Sequence, residues 1–173
     1  MPTSSILVVE DDPFLRVAGL LLDPNTSAER YAAFEDFFAH DEPDFAGYVA
    51  RVRARIGALF PAQVRIVATQ EELHAALPGA RALIVEGLNV GPEELAAGAD
   101  LTVVQKFGAL PRNIDAAACA ARGVRVMTIR RRVNCACAEM AFALMLTLAK
   151  KLNRVMGRIS AEQLAELGHI YKP

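Results

Sequence analysis

The sequence predicts an α/β protein built on a doubly wound parallel sheet of about five strands. Five short apolar runs recur along residues 6–127, and helical patterns separate them. Parallel strands can be joined only by crossover connections, so this alternation is typical of a parallel sheet with helices on both faces. The length of 173 residues and the hydrophobic content of 53% are enough for a substantial core.

The first predicted strand, residues 6–9, runs directly into Glu10, Asp11 and Asp12. This opening resembles that of response-regulator receiver domains, in which such acidic residues hold a magnesium ion. Phosphorylation there also requires an aspartate after a later strand, and here the strand at residues 82–85 is followed by Glu86. We therefore interpret Asp11 and Asp12 as a solvated turn. A receiver-like signalling or binding module without enzymatic activity is the alternative function.

A helical insert, residues 27–58, follows the first strand. Its first helix begins at the capping-box sequence Thr26-Ser27-Ala28-Glu29, and aromatic residues then recur every three or four positions, which predicts one aromatic face. We expect that face to lie in the core. A second amphipathic helix, residues 48–56, carries arginines that are expected to point mostly outward. The insert has no assigned role.

The second strand is predicted at residues 64–67. Three more follow at residues 82–85, 101–104 and 124–127, with helices between them. The strand at 101–104 is followed by a loop with Gly108 and Pro111, which interrupt regular structure. Loops at the carboxyl ends of parallel strands bind ligands in open α/β sheets, because their unpaired backbone amides are available to an anion. This loop is therefore the candidate ligand site.

A last helix is predicted from Asn134. Between residues 136 and 149 only Glu139 and Thr147 are polar, so the helix should be buried on several sides. Fourteen such residues are too few to span a bilayer, which needs about twenty. The fold class predicted is thus an α/β sheet with a long C-terminal apolar helix. That helix either packs against a second copy or fills the core of a compact monomer.

Two segments, QKFGALPRNIDAAACAARGVRV and VNCACAEMAFALMLTLAKKL, resemble the NAD-dependent D-isomer-specific 2-hydroxyacid dehydrogenases. They resemble the end of the substrate domain and the first helix of the cofactor domain in that family. The resemblance implies a flavodoxin-like sheet in a substrate-binding domain at residues 1–129. Residues 130–173 would then hold the hinge with Arg130–Arg132, the dimerisation helix and a truncated start of the NAD-binding domain.

The resemblance also implies the roles of individual residues. Amides of the loop Lys106, Phe107, Gly108 and Ala109 would bind the carboxylate of a small 2-hydroxy or 2-oxo acid. Asn134 would lie near the substrate or the hinge, or else cap the helix. Cys137 would face the nicotinamide, or else serve helix packing. Residues 134–156 would form a homodimer.

No Gly-x-Gly-x-x-Gly sequence follows any strand, so these residues contain no familiar seat for a pyrophosphate. The catalytic residues of the family lie beyond that motif, and His40, His74 and His169 match none of them. We therefore expect no catalytic residue here. NAD, with NADP not excluded, would be bound mainly by a domain outside this chain, and the chain alone would be inactive.

Composition limits the other functions. The net charge of −1 gives no electrostatic reason to expect nucleic acid as a partner. No secretory leader or membrane span is evident, so a cytoplasmic location without membrane association is expected. Cys119, Cys135 and Cys137 are too few for a disulfide framework or a structural zinc site, and we expect three reduced, packing cysteines and no metal.

Overall fold

The computed structural model describes residues 5–131, 133–154 and 160–162. The chain divides into two compact units, Met1–Ile129 and Arg130–Pro173. The first unit carries a parallel sheet with its helices, and the described residues of the second include a helix of 17 residues. The two units are described separately.

The sheet consists of five parallel strands in the order β2-β1-β3-β4-β5. This is the flavodoxin-like order, in which β1 and β3 lie side by side although a strand separates them in sequence. The predicted α/β fold with a five-stranded parallel sheet is confirmed. The strands are β1 Ser5–Glu10, β2 Ala62–Val67, β3 Ala80–Val85, β4 Val103–Lys106 and β5 Arg125–Thr128.

In the described part of the first unit six α-helices connect or flank these strands, and local side-chain caps start four of them. The cap side chains each accept a hydrogen bond from the backbone amide three residues later, and they belong to Ser27, Asp44, Thr69 and Asp115. The first helix was not predicted, because its sequence VAGLLL has no polar face to give a helical period. The helices are α1 Val17–Leu22, α2 Ala28–Phe38, α3 Phe45–Ile56, α4 Gln70–Ala76, α5 Pro92–Ala97 and α6 Ala116–Ala121.

Both faces of the sheet are covered, and the alternation along the strands shows this directly. Val8 and Leu83 belong to the larger core cluster, together with buried residues of α4, α5 and α6. Leu7 and Val9 belong to a second cluster on the other face, against Leu15 and the partly buried side chains of α1. Successive strand residues point to opposite faces, so β1, β2 and β3 contribute to both clusters, while β4 and β5 contribute to the larger one.

The helical insert has a small cluster of its own. Phe45 is buried there and contacts Phe38 with parallel rings whose centroids lie 5.7 Å apart. Phe37, in contrast, is 64% exposed, so the aromatic face predicted as core is only partly buried. The expectation of outward arginines is wrong for Arg53, whose guanidinium donates to the carbonyls of Leu20 and Leu21.

The second unit contains α7, Val133–Ala149. Lys151 has a positive φ of 50°, which ends the helical path, and a short 3₁₀ turn follows at Leu152–Arg154. The helix expected over residues 134–156 therefore stops earlier, and residues 155–159 lie outside the described part. None of the helices described is both long enough and apolar enough to cross a membrane.

The apolar side chains of α7 are mostly exposed within this chain. Leu148 is 76% exposed and Phe142 is 67% exposed, although long apolar side chains normally avoid water. The choice between packing against a second copy and filling the core of a compact monomer stays a prediction. The other strongly exposed side chains of the helix are Met140, Leu144, Met145 and Leu146.

Candidate functional site

Two loops meet at the carboxyl edge of the sheet. The first loop, residues 86–91, follows β3, and the second loop, residues 107–115, follows β4. Because β3 and β4 are hydrogen-bonded neighbours and run parallel, both loops leave the same edge side by side. The two loops differ in how many of their backbone amides are hydrogen-bonded within the chain.

Three amides of the first loop bind one carboxylate. Glu10, the last residue of β1, accepts hydrogen bonds from the backbone amides of Glu86, Gly87 and Leu88 at 2.6, 2.9 and 3.0 Å to its Oε2. The Gly87 amide also lies 2.9 Å from Oε1. Consecutive amides that converge in this way form an anion-binding nest, and here the chain's own carboxylate occupies it.

Side chains from α4 and α5 hold the next part of the same loop. Gln70 donates to the carbonyl of Asn89 and accepts from its amide, at 2.9 and 3.1 Å. Glu94 is buried and accepts from the Gly91 amide and from Gln70, both at 2.8 Å. Burial alone would raise the pKa of Glu94, but these hydrogen bonds outweigh it and lower the pKa below its usual range. Glu94 is therefore ionised at neutral pH and stabilises the first loop through its hydrogen bonds.

The Asn-Ile-Asp segment of the second loop ties the two loops together. The Val90 amide donates to the carbonyl of Asn113 at 2.9 Å, and the Asp115 amide donates to the carbonyl of Val90 at 2.8 Å. The side-chain amide of Asn113 donates to the Leu88 carbonyl at 2.5 Å. Every amide of residues 86–91 thus has a partner within the chain, so none is left to bind a ligand.

Lys106 lies differently from the prediction. It is the last residue of β4 and not a loop residue, and only 7% of it is exposed. Its ammonium donates to the backbone carbonyl of Glu86 and lies 3.0 Å from the Glu86 carboxylate. The positive charge is therefore compensated within the chain, and we do not assign Lys106 to direct contact with a ligand. The predicted strand at 101–104 is correspondingly shifted, since β4 begins at Val103.

The second loop has free amides. The Phe107 amide donates to the Val85 carbonyl at 2.7 Å, and its side chain packs against the second core cluster. The amides of Gly108, Ala109 and Leu110 have no hydrogen-bond partner in the part of the chain that the structure describes. A Cβ at Gly108 would come within 3.3 Å of Lys106 Cε, so the lysine stem forms the floor under this loop.

The amides of Arg112 and Asn113 also have no partner among the described residues, but residues 108–110 form the longest run of consecutive free amides in this loop and are therefore the candidate anion site. Of the residues predicted, Gly108 and Ala109 lie in it, while Phe107 is paired and Lys106 lies beneath it. Sequence reasoning missed Glu10 and Glu86 as supports of this edge. The available signal was that both follow an apolar strand directly, on strands that neighbour each other in a flavodoxin-like order.

Two predicted residues belong to the second unit. Asn134 is the second residue of α7, and its amide donates to the Arg131 carbonyl at 3.1 Å, so it does not precede the helix as a cap would. Cys137 and Cys135 are exposed and unbonded, whereas Cys119 is buried. The packing role expected for all three cysteines therefore applies to Cys119, whose thiol pKa is raised by burial. The roles of Asn134 and Cys137 toward substrate and nicotinamide remain predictions.

The acidic turn after β1 is held by local contacts. Asp11 pairs with Arg16 at 2.5 and 2.9 Å, and this hydrogen bonding lowers the pKa of Asp11. Asp12 accepts from the amides of Phe14 and Leu15. Among the residues described, no group of three or more His, Cys, Asp or Glu side chains could hold a metal ion. These contacts give the receiver-like alternative no support.

A cleft of about 580 Å³ lies apart from these loops, between α2 and the turn that precedes α1. It contains none of the predicted site residues. Its lining has Arg16 and Arg30 as cations and includes four phenylalanines, Phe14, Phe34, Phe37 and Phe38.

Comparison with known proteins agrees with this architecture. The pyruvate reductase of Chlamydomonas reinhardtii has a similar fold, with a TM-score of 0.50, 15% sequence identity and coverage of 98% of this chain and 40% of that chain. D-lactate dehydrogenase from Escherichia coli gives a TM-score of 0.49 and 16% identity over 87% of this chain and 39% of that one. Phosphoglycerate oxidoreductase from Vibrio cholerae gives a TM-score of 0.48 and 18% sequence identity, with coverage of 95% of this chain and 41% of that chain.

The chain therefore spans about two fifths of the length of these solved structures. A search of curated protein sequences gave no significant match. Residues 51–169, well over half of the chain, match the family described as D-isomer specific 2-hydroxyacid dehydrogenase, catalytic domain. With its parallel sheet and its Asn-Ile-Asp loop, the chain belongs to the D-isomer specific 2-hydroxyacid dehydrogenase family.

Proposed function

We propose that this chain is the substrate-binding part of an oxidoreductase that transfers hydride between NAD and C2 of a 2-hydroxy or 2-oxo acid. Membership of the dehydrogenase family supports the reaction class. The observation that carries the proposal is the set of free amides at residues 108–110, beside a loop whose amides are all occupied. Of the two loops, only the second can therefore offer donors to a substrate carboxylate.

The chemistry of the loop suits a carboxylate. Its two oxygens can accept hydrogen bonds from the amides of Gly108, Ala109 and Leu110, and bonds to a charged acceptor are stronger than neutral ones. Glu86 follows β3, the strand paired with β4, and its pairing with Lys106 reduces its repulsion of an incoming anion. The bound acid would then present C2 to the cofactor from a fixed anchor.

Binding can be tested by titrating pyruvate into the isotope-labelled chain and following its amide resonances by NMR. We expect the resonances of residues 108–110 to shift with pyruvate concentration. In Gly108→Ala the new methyl group would crowd Lys106 Cε at 3.3 Å, displace the loop and weaken binding about fivefold, the equivalent of one partly lost hydrogen bond.

Gly91→Ala is the matched control for that titration. It adds the same methyl group in the first loop, where the nearest atom is a Glu94 oxygen at an ordinary 3.6 Å. Pyruvate affinity should then stay within about twofold of the unsubstituted chain. An absence of shifts at residues 108–110 in tens of millimolar pyruvate, or shifts clustered elsewhere, would contradict the assignment of the site.

The cofactor is part of the proposal. We infer NAD, with NADP as the variant, bound mainly by residues outside this chain, with Asn134 and Cys137 close to substrate and nicotinamide. We expect the 173 residues alone to show no pyruvate-dependent oxidation of NADH, because they contain no Gly-x-Gly-x-x-Gly sequence. The measurement is the loss of NADH absorbance at high protein concentration, and turnover above the protein-free rate would refute this expectation.

We also infer a homodimer through α7 and a cytoplasmic location. The exposed side chains of Phe142, Met145 and Leu148 support the dimer, since water-exposed apolar surface of this size marks an interaction site. Three cysteines without a disulfide among them are consistent with a reducing compartment. Subcellular fractionation of the cells that produce the protein tests the location. Recovery of the protein outside the cytoplasmic fraction would refute it.

A further inference from the structure

We propose that Glu10 is a positioning residue for the candidate carboxylate site, acting through Glu86 and Lys106. Glu10 lies on β1 and does not reach residues 108–110 itself. A continuous series of contacts nevertheless leads from its carboxylate to the floor of that loop. The role in substrate binding rests on the proposed function, whereas the structural coupling can be tested without it.

The first step is the nest at residues 86–88. One Glu10 oxygen accepts from the amides of Glu86, Gly87 and Leu88, and the second oxygen also accepts from Gly87. Such charge-assisted bonds are shorter and stronger than neutral ones, and three adjacent peptide planes are fixed by them. A Cβ at Gly87 would lie 3.3 Å from a Glu10 oxygen, which shows how closely the backbone approaches the carboxylate.

The second step is the pairing of Glu86 with Lys106. The ammonium of Lys106 contacts both the backbone carbonyl and the carboxylate of Glu86. The peptide group on one side of Glu86 is held by Glu10, so the direction of the residue, including its carbonyl, depends on that carboxylate. Lys106 is 7% exposed, and a buried ammonium that loses its acceptors is strongly disfavoured. Loss of the nest would therefore force Lys106 to move toward water.

The third step carries this movement to the loop. The Lys106 stem lies under Gly108, with Cε 3.3 Å from the position of a Gly108 Cβ. Withdrawal of the stem would remove its support beneath Gly108 and let the backbone of residues 108–110 shift. Such a shift weakens binding of a carboxylate, because the amides leave the positions in which they donate to it. Glu10 thus affects the site through geometry without contacting a ligand.

The test compares Glu10→Ala, Glu10→Gln and the control Glu72→Ala by NMR of the full 173-residue chain. Glu72 also accepts a backbone amide after a strand, that of Ala68 at 2.7 Å, but no contact links it to Lys106. Without ligand, we expect Glu10→Ala to shift the Lys106 and Gly108 resonances and Glu10→Gln to shift them less, since glutamine retains one acceptor oxygen. Glu72→Ala should leave both resonances at their original positions.

Acetate provides a rescue experiment. The alanine variant vacates the nest, and added sodium acetate should bind the amides of Glu86, Gly87 and Leu88 and return Lys106 toward its original resonance. The unsubstituted chain is titrated with acetate in parallel, and the shifts from direct binding at residues 108–110 are subtracted. Pyruvate affinity should fall about fivefold or more in Glu10→Ala and less in Glu10→Gln. If Glu10→Ala fails to fold, the shifts of the Lys106 and Gly108 resonances in Glu10→Gln test the proposal instead.

The proposal is overturned if the folded Glu10 variants leave Lys106 and Gly108 unshifted, or if Glu72→Ala shifts them equally. It is also overturned if pyruvate affinity is unchanged while those resonances move. Failure of the unsubstituted chain to bind pyruvate would refute the proposed function instead. The ligand-free shifts and the acetate response would still decide the coupling from Glu10 to Gly108.

Discussion

Leu83→Ala is expected to lower the free energy of unfolding by about 3 kcal/mol, within a range of about 2 to 5 for buried leucines. Leu83 lies on β3, the central strand of the sheet, and is fully buried. It belongs to the larger core cluster with Val8 and Val104 of the neighbouring strands. Truncation removes apolar contacts with both neighbours, and the paired strands cannot close around the cavity without breaking their hydrogen bonds.

Urea unfolding followed by circular dichroism measures this loss. Leu59→Ala makes the same chemical change at a residue that is 63% exposed, and should stay within about 0.5 kcal/mol of the unsubstituted protein. A loss below about 1 kcal/mol for Leu83→Ala would mean that β3 is not the packed centre of the fold.

The second large effect concerns α7. We expect the chain to sediment as a dimer of about 37 kDa, twice its mass of 18.7 kDa. Phe142→Glu should weaken the dimer at least about a hundredfold, because a charge buried between two apolar helices costs several kcal/mol without a partner. Phe142 is 67% exposed in the single chain and is the largest apolar side chain of this helix.

Sedimentation equilibrium over a range of protein concentrations measures the dissociation constant. Phe37→Glu is the matched control, because Phe37 is 64% exposed on α2 of the first unit and has no part in the proposed interface. A monomer at all concentrations, or a dimer that Phe37→Glu weakens as much as Phe142→Glu, would contradict the assignment of α7 to the interface.

Local sequence patterns predicted most of the fold. Period-two and period-3.6 alternation are properties of neighbouring residues, so all five strands were placed within two residues of their observed bounds. The cap at Asp115 and the end of α6 near Gly123 are also local. α1 was missed because an all-apolar run of six residues carries neither period. The start of β4 was misplaced because Leu101 is buried without being in the strand.

The candidate site was only partly predictable. The loop with Gly108 and Ala109 was found from a predicted strand followed by Gly108 and Pro111, which is a local signal. That Lys106 points away from a ligand and toward Glu86 depends on the pairing of β4 with β3. The amides of the first loop are likewise occupied by hydrogen-bond acceptors from β1, α4 and α5, which are distant in sequence.

The sequence by itself determined the parallel α/β class, the position of the loop proposed as ligand site and the family, because these depend on spacing along the chain. Only the tertiary structure decided that Glu10 fills the nest of the first loop, 76 residues away from Glu86, and that Glu86 holds Lys106 20 residues further on. The physical reason is that a hydrogen-bond partner is set by strand order and register. No periodicity within one segment encodes which other strand will lie beside it.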